Sequence, residues 1–203
     1  MSRDGQAARL KALRRLLDEG DVERLRGECH TLGPPRGNPL SRLFGDFGEN
    51  KRTEPVEPWM IAWGERMLDA RLFSEHPNQY RVCDWIGEYS AQLKRHIDGR
   101  RHGEELLVIA LTDGREIGFR PPGRPHKTWT LSLNAGDAYF MRGAARWQRE
   151  HRVMPTGRTR GGGRGPYPRL SAALMNRRSP SQPYSGERGA TGWTQPEAPC
   201  LSG

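Results

Sequence analysis

Cysteine is scarce in this chain of 203 residues: Cys29, Cys83 and Cys200 lie far apart, odd in number and without CxxC spacing. That excludes a disulfide framework and a zinc knuckle, and it points to a reducing compartment. Long apolar runs are missing as well. No stretch approaches the roughly 18 residues of a membrane span, and the opening MSRDGQAARLKALRR has no apolar signal core. No membrane partner is expected, and the expected compartment is the cytoplasm; a nuclear or organellar address would fit the Arg-rich start in a eukaryote. Hydrophobic residues make up only 34% of the chain, with 25 Gly and 16 Pro, yet six Trp, five Tyr and five Phe are too many aromatics for a wholly disordered polymer. The length suits one catalytic-sized domain with loose flanks. There is no internal repeat, and a monomer is expected.

What the chain has in excess is positive charge. Its 33 Lys and Arg against 24 Asp and Glu leave a formal charge of +9, which favours a polyanionic partner, nucleic acid first among them. Much of that excess falls in glycine-rich stretches and in the tail, where Arg also serves solubility.

Along the chain, Leu10, Leu13, Leu16 and Leu17 recur at helical spacing, and Gly20 reads as their stop, so residues 1–31 are expected to form a helical extension. The segment 32–55 is rich in Gly and Pro but carries Leu40, Leu43, Phe44 and Phe47, which predicts irregular backbone or a short hairpin held by apolar anchors. EPWMIAWGERMLDAR, from Glu57 to Arg71, predicts a helix with Pro58 in its first turn. Beyond Gln79 the texture changes to short runs of strand character, QYRVCDWI, EELLVIALTD, EIGFR, TWTLSL, DAYFMRG and YPRLSAAL, separated by Gly, Pro and Asn. Helices followed by many short strands indicate a mainly β protein with flanking helices (α+β), its strands forming a sandwich. The Pro/Gly/Ser-rich stretch 179–203 has too little apolar surface to order itself.

The pattern with the most chemistry in it is HID, His96 to Asp98, just before the strand EELLVIAL, with His151 far downstream in GDAYFMRGAARWQREH. Two imidazoles and one carboxylate on one face of an octahedral iron leave three positions open for a chelating co-substrate and dioxygen. An HxD pair by itself also fits an ordinary loop. Its neighbours say more: PNQYRVCDW, HIDGRRHGEELLVIAL, GFR, LNAGDAYFMRGAARWQREH and RLSAALMNR follow in order between Asn78 and Arg178, and in that order they resemble the AlkB family of Fe(II)/2-oxoglutarate dioxygenases. FGDFG and the helix EPWMIAWGERML look like the family's lid and the helix beside it.

The resemblance implies a double-stranded β-helix, or jelly roll, at about 78–178, a lid at about 32–55, and N-terminal helices. It implies His96, Asp98 and His151 as ligands of Fe(II), with 2-oxoglutarate and dioxygen as co-substrates. Arg169 matches the first Arg of the family's RxSxTxR signature, the one expected on the distal carboxylate, since a planar guanidinium grips a carboxylate with two bonds. Ser171 follows in the same signature. The second Arg should stand where Met175 is; Arg177 lies one pleat further, roughly 6.6 Å along the strand. Cys83 and Trp85 occupy the places of the family's Asn and Tyr near the proximal carboxylate, and HID comes two residues later than usual. His102 and His126 fall outside the matched positions and read as surface residues.

The implied activity is oxidative dealkylation of alkylated bases in RNA or DNA, with the target base taken out of its stack. Phe44, Phe47 and Trp147 are candidates for an aromatic clamp on that base. Arg42, with Arg36, Lys51 and Arg52, is a candidate for phosphate contact at the lid, and Arg158, Arg160 and Arg164 lie in a glycine-rich loop suited to RNA. Two other classes fit the same residues: an inactive jelly roll that binds nucleic acid through basic loops, and a dioxygenase that hydroxylates a protein or a small molecule.

Overall fold

The computed structural model describes residues 9–33, 41–48, 52–84, 93–99, 102–121, 123–124, 126–154 and 170–176. Its elements run β1 (Arg9–Leu13), α1 (Glu19–Thr31), β2 (Ser41–Gly45), α2 (Pro58–Asp69), β3 (Gln79–Asp84), β4 (Leu93–His96), β5 (Glu105–Ala110), β6 (Arg115–Arg120), β7 (Trp129–Leu133), β8 (Ala138–Arg142), α3 (Ala144–Gln148), β9 (Glu150–Val153) and β10 (Leu170–Asn176). The strands form a six-stranded sheet in the order β1-β8-β5-β10-β3-β2 and a four-stranded sheet in the order β4-β9-β6-β7. All strand pairs in both are antiparallel. Two facing antiparallel sheets with helices on the outside of the larger one make the mainly β jelly roll.

Pleat parity explains where the core sits. On β5, Leu107 and Ile109 point to the helix side and join Leu25 and Cys29 of α1 and Met60, Trp63 and Met67 of α2. Leu106 and Ala110 point the other way, between the sheets, and meet Ile117, Phe119, Leu133, Tyr139, Met141 and Val153. That double burial is why the run ELLVIA is apolar without alternation, whereas β7, at the edge of the small sheet, alternates between exposed Thr130 and Ser132 and buried Leu131 and Leu133. Gly64 lets α2 come down on β3, because a Cβ there would lie 2.7 Å from the Tyr80 hydroxyl.

The N-terminal expectation is corrected. Residues Arg9–Leu13 are a strand, paired residue for residue with β8, and not a helix. On the strand Leu10 and Leu13 fall on opposite faces, Leu10 against the core between the sheets and Leu13 against the helix-side core, and pairing with β8 at the edge of the large sheet decided against the helix. The helix begins later: Asp18 caps it by accepting from the Asp21 N–H, and Gly20 stands in its first turn rather than at its end. Within the expected lid, Ser41–Gly45 is the regular edge strand β2. The helix foreseen between Glu57 and Arg71 is α2, with Pro58 at its first position and Glu57 as the residue before it. The tail from Ser179 lies outside the described residues.

Candidate metal centre

His96 ends β4 and His151 lies on β9, directly opposite each other in the ladder. Alternation buries His151 and Val153 while Glu150 and Arg152 stay partly exposed, so the imidazole faces the space between the sheets. Asp98 follows His96 by two residues and turns back between the rings. Its Oδ1 lies 3.5 Å from His96 Nε2 and its Oδ2 3.4 Å from His151 Nε2. One ligand atom from each of the three lies within 4.8 Å of the others.

The donor set fits a hard-to-borderline divalent cation such as Fe(II). Asp98 Oδ2 is buried and accepts no hydrogen bond from protein, although a buried carboxylate oxygen ordinarily has a donor. A metal ion would meet that need. Burial alone would push the Asp98 carboxyl up, but the hydrogen bond with His96 and the charges of His151, Arg146 and His102 hold it well below the usual carboxylate range. Burial pushes the His151 imidazole down to about 4, against the attraction of Asp98. A charged carboxylate and a neutral imidazole at neutral pH are the forms a metal binds.

One consequence concerns acid. In the unfolded chain His151 takes up a proton near 6.5, while in the fold it does so only at about 4. Between those values the unfolded state binds more protons, so stability falls as pH falls through the window. The metal-free protein is expected to lose about 2–3 kcal/mol from this group between pH 7 and pH 4.5, read as a drop in its thermal midpoint. A flat midpoint over that range would place the proton affinity of His151 at its ordinary value.

Arg146, in α3, is a residue that sequence reasoning missed, and it organises the site. It is 1% exposed. Its Nε donates to Gly103 O at 3.1 Å, Nη1 to Asp98 O at 3.3 Å, and Nη2 to His102 O at 3.1 Å and Gly99 O at 3.5 Å. Nη1 also lies 3.7 Å from Asp98 Oδ2, and the guanidinium sits over the Trp147 ring, 4.6 Å from its centroid. One side chain thus holds the described residues on either side of the turn after His96, Asp98 and Gly99 before it and His102 and Gly103 after it. Gly143, at φ +58°, opens α3 with a backbone that other residues adopt at a cost. Gln79, fully buried, ties the same loop to the lid side: its Oε1 accepts from Gly103 N at 2.9 Å and its Nε2 donates to Asp46 O.

The three candidate ligands open onto a cavity of about 70 Å³ between the sheets, also lined by Arg81, Cys83, His102, Leu106, Arg115, Tyr139 and Met175. One water needs roughly 10–15 Å³, so several non-hydrogen atoms fit. Cys83 is on this wall as expected from β3, and Ser171 pairs with it in the ladder. Arg169, Arg177, Trp85, Arg36, Lys51, Arg158, Arg160 and Arg164 lie outside the described residues. Met175 is 2% exposed and faces the cavity.

Three aromatic and basic expectations change. Phe44 is 1% exposed in the helix-side core, because β2 places it opposite Tyr80 on the outer face of the large sheet. Arg42 shares that parity; it binds Glu54 and Leu32 O and covers the Phe44 ring, so neither residue faces the cavity. Phe47 is buried between the sheets with its ring edge-on to His102 at 5.7 Å. His102, expected at the surface, therefore lines the site. The exposed aromatic near the metal row is one that sequence reasoning passed over. His96, His151, Phe119 and Trp129 are cross-strand neighbours in one row over the small sheet, with centroid separations of 4.4, 6.1 and 4.6 Å. Trp129, 38% exposed, ends that row, with the Arg149 guanidinium 5.7 Å from its ring.

No protein-family model and no curated protein sequence matches this chain. Solved structures do. The structure of OsALKBH1 is similar over 82% of this chain and 97% of its own, at TM-score 0.59 and 14% identity. A prolyl-4-hydroxylase from Pseudomonas putida matches over 85% and 94%, at TM-score 0.55 and 15% identity. SnoN, a non-heme alpha-ketoglutarate dependent epimerase from nogalamycin biosynthesis, matches over 82% and 78%, at TM-score 0.50 and 14% identity. At such identities the likeness is one of fold.

Proposed function

We propose that this protein is an Fe(II)- and 2-oxoglutarate-dependent dioxygenase that removes alkyl groups oxidatively from bases in RNA or DNA. The observation that carries the reading is the convergence of His96, Asp98 and His151 at the cavity, with one carboxylate oxygen buried and lacking a hydrogen-bond donor. The chemistry supplied by the bound group is oxidation of a C–H bond beside nitrogen, coupled to decarboxylation of 2-oxoglutarate to succinate. His96, Asp98 and His151 would hold the metal from one side only. Arg146 keeps the Asp98 loop in place, and Phe47 with His102 closes the flank next to it. Arg169 and Ser171 remain candidates for the co-substrate's carboxylates; Cys83 lies on the cavity wall and pairs with Ser171 in the ladder.

Nucleic acid as substrate is supported by the +9 charge and by Trp129. An exposed indole with a cation beside it, two strands from His151 and three from His96, suits an unpaired base stacked on the ring with its phosphate near Arg149. One observation favours a second reading, a jelly roll that binds nucleic acid without turning over 2-oxoglutarate: buried Met175 stands where the resembled signature has its second Arg.

The two part in a single assay. Purified protein with Fe(II), 2-oxoglutarate and a panel of methylated DNA and RNA oligonucleotides is expected to release succinate and formaldehyde together. Trp129→Ala is expected to raise KM for the oligonucleotide about 10-fold, the scale of one stacked base, and to leave substrate-free succinate formation unchanged. Oligonucleotides that bind but give no formaldehyde, with no succinate above background, would sink the dealkylase and leave the binding module.

A further inference from the structure

We infer that the outer face of the small sheet, turned away from the cavity, holds backbone phosphates of a single-stranded polynucleotide on Arg95 and Arg152. This rests on the nucleic-acid part of the function proposed above and not on turnover. His96 and His151 stand opposite each other in the β4–β9 ladder. Their chain neighbours Arg95 and Arg152 are half-buried and turn to the opposite face by alternation. On β6 the same alternation sends Ile117 and Phe119 inward and Gly118 and Arg120 outward, with Gly118 opposite Arg152 and Arg120 opposite Glu150. Three guanidinium groups thus lie on three adjacent strands, roughly 10 Å across, on the reverse of the row that carries the candidate metal ligands.

Only one of the three is neutralised. Arg120 donates to Glu150 Oε2 through Nε at 2.6 Å and through Nη2. The other outward carboxylate of β6, Glu116, accepts from Ser132 Oγ at 3.4 Å on β7. Arg95 Nη1 and Arg152 Nε are buried atoms without an acceptor, and neither residue has an ion-pair partner among the described residues. Burial, and after it the like charges of Arg120 and Arg152, push the Arg95 guanidinium down against Glu150, so the three cations share one neighbourhood. Gathering partly desolvated like charges is costly to stability unless an anion meets them. Gly118 leaves the middle of the face without a side chain, and Arg152 folds over it, its Nε 3.6 Å from where a Cβ would stand. Neither of the two cavities described is lined by Arg95, Arg120 or Arg152. A small phosphorylated molecule would find little to grip there beyond its phosphate, whereas a polyanion binds an open basic surface through phosphate contacts alone. Trp129 pairs with Phe119, the residue before Arg120, so a ring open to stacking and the basic face share one end of one sheet. Stacking needs unpaired bases, which selects a single strand.

The test is fluorescence anisotropy of a labelled oligothymidylate of about 12 nucleotides titrated with the full chain at several salt concentrations, which reads binding and not turnover. At a salt slope of about 0.7 per neutralised phosphate, loss of one contact weakens binding about 5-fold at about 0.1 M salt and lowers the slope by about 0.7. Arg95→Gln and Arg152→Gln are each expected to show that change, and the double variant a loss of about 25-fold. Arg95→Lys, which keeps the charge, should keep the slope. Glu150→Gln, which releases Arg120, is expected to tighten binding about 5-fold; as a gain it cannot come from lost folding, and it carries the test if the double variant does not fold. Wild-type affinity and slope in a folded double variant, or no gain in Glu150→Gln, overturns the assignment while leaving the proposed function standing. A 5′-mononucleotide that displaces the oligonucleotide at equal concentration, or a polyglutamate peptide that binds as tightly, also overturns it, the face then being a site for small phosphates or for anions in general. A wild-type protein that forms succinate from 2-oxoglutarate but binds no oligonucleotide even at low salt overturns the assignment and the nucleic-acid reading together, and leaves the dioxygenase.

Discussion

His96→Ala and Asp98→Ala are both expected to abolish iron binding, and only the second is expected to weaken the metal-free fold. Loss of a partner that merely orients a metal ligand typically lowers affinity 10- to 100-fold, so loss of one of three protein ligands should exceed about 100-fold. The difference between the variants lies in what remains behind. The His96 side chain is 30% exposed at the end of β4, and water takes its place. The Asp98 side chain is 10% exposed and is the carboxylate nearest Arg146, whose side chain is wholly buried. Removing it leaves a guanidinium buried beside two imidazoles with no counter-charge, a change of about 3–5 kcal/mol in comparable buried pairs. Competition for Fe(II) against a chromophoric chelator measures the first effect, and unfolding midpoints of the metal-free proteins measure the second. A His96→Ala protein that retains stoichiometric iron would put the centre elsewhere, and the proposed chemistry would fall with it.

The parts of this fold that could be read beforehand are those where local pattern and tertiary context agree. Residues of β5 to β8 announce themselves because β-branched and aromatic runs there are bounded by Gly, Pro and Asn, and α2 by an apolar stripe behind Pro58. Where they disagree, context won. RLKAL has a spacing compatible with either helix or strand, and the open edge beside β8 selected strand. LKRH and EHRV, which carry both histidines, are only four residues each and strongly polar, too short and too mixed for a clear strand pattern. The candidate ligands were therefore legible as HxD and a distant His, but the strands bearing them were not. Phe44 misled because an aromatic in a glycine-rich segment looks available, and only the register of β2 against β3 shows it turned to the helices.

Arg146→Met is expected to be the most damaging single change away from the metal ligands. Methionine fills much of the same volume, so packing is largely kept and the loss isolates the guanidinium. Four carbonyl oxygens, of Asp98, Gly99, His102 and Gly103, then lose a charged donor, the bond to Gly103 being buried and the other three part-buried, and Asp98 loses the cation next to it. With buried, charge-assisted bonds at about 1.5–3 kcal/mol each and strong coupling among them, a net loss of about 3–5 kcal/mol is expected. For a chain of this size that is a fall of about 10 °C or more in the thermal midpoint. Arg146→Lys restores a charge but only one point of attachment, so it should recover part of the stability and little of the loop's order. Iron affinity separates positioning from mere stability: at a temperature where Arg146→Met is still folded, it should bind Fe(II) at least about 10-fold more weakly than wild type, because Asp98 is no longer held between the rings. Wild-type iron affinity in a folded Arg146→Met protein would show that the loop keeps its shape through Gln79 and its own backbone, and Arg146 would be reduced to a stabilising residue.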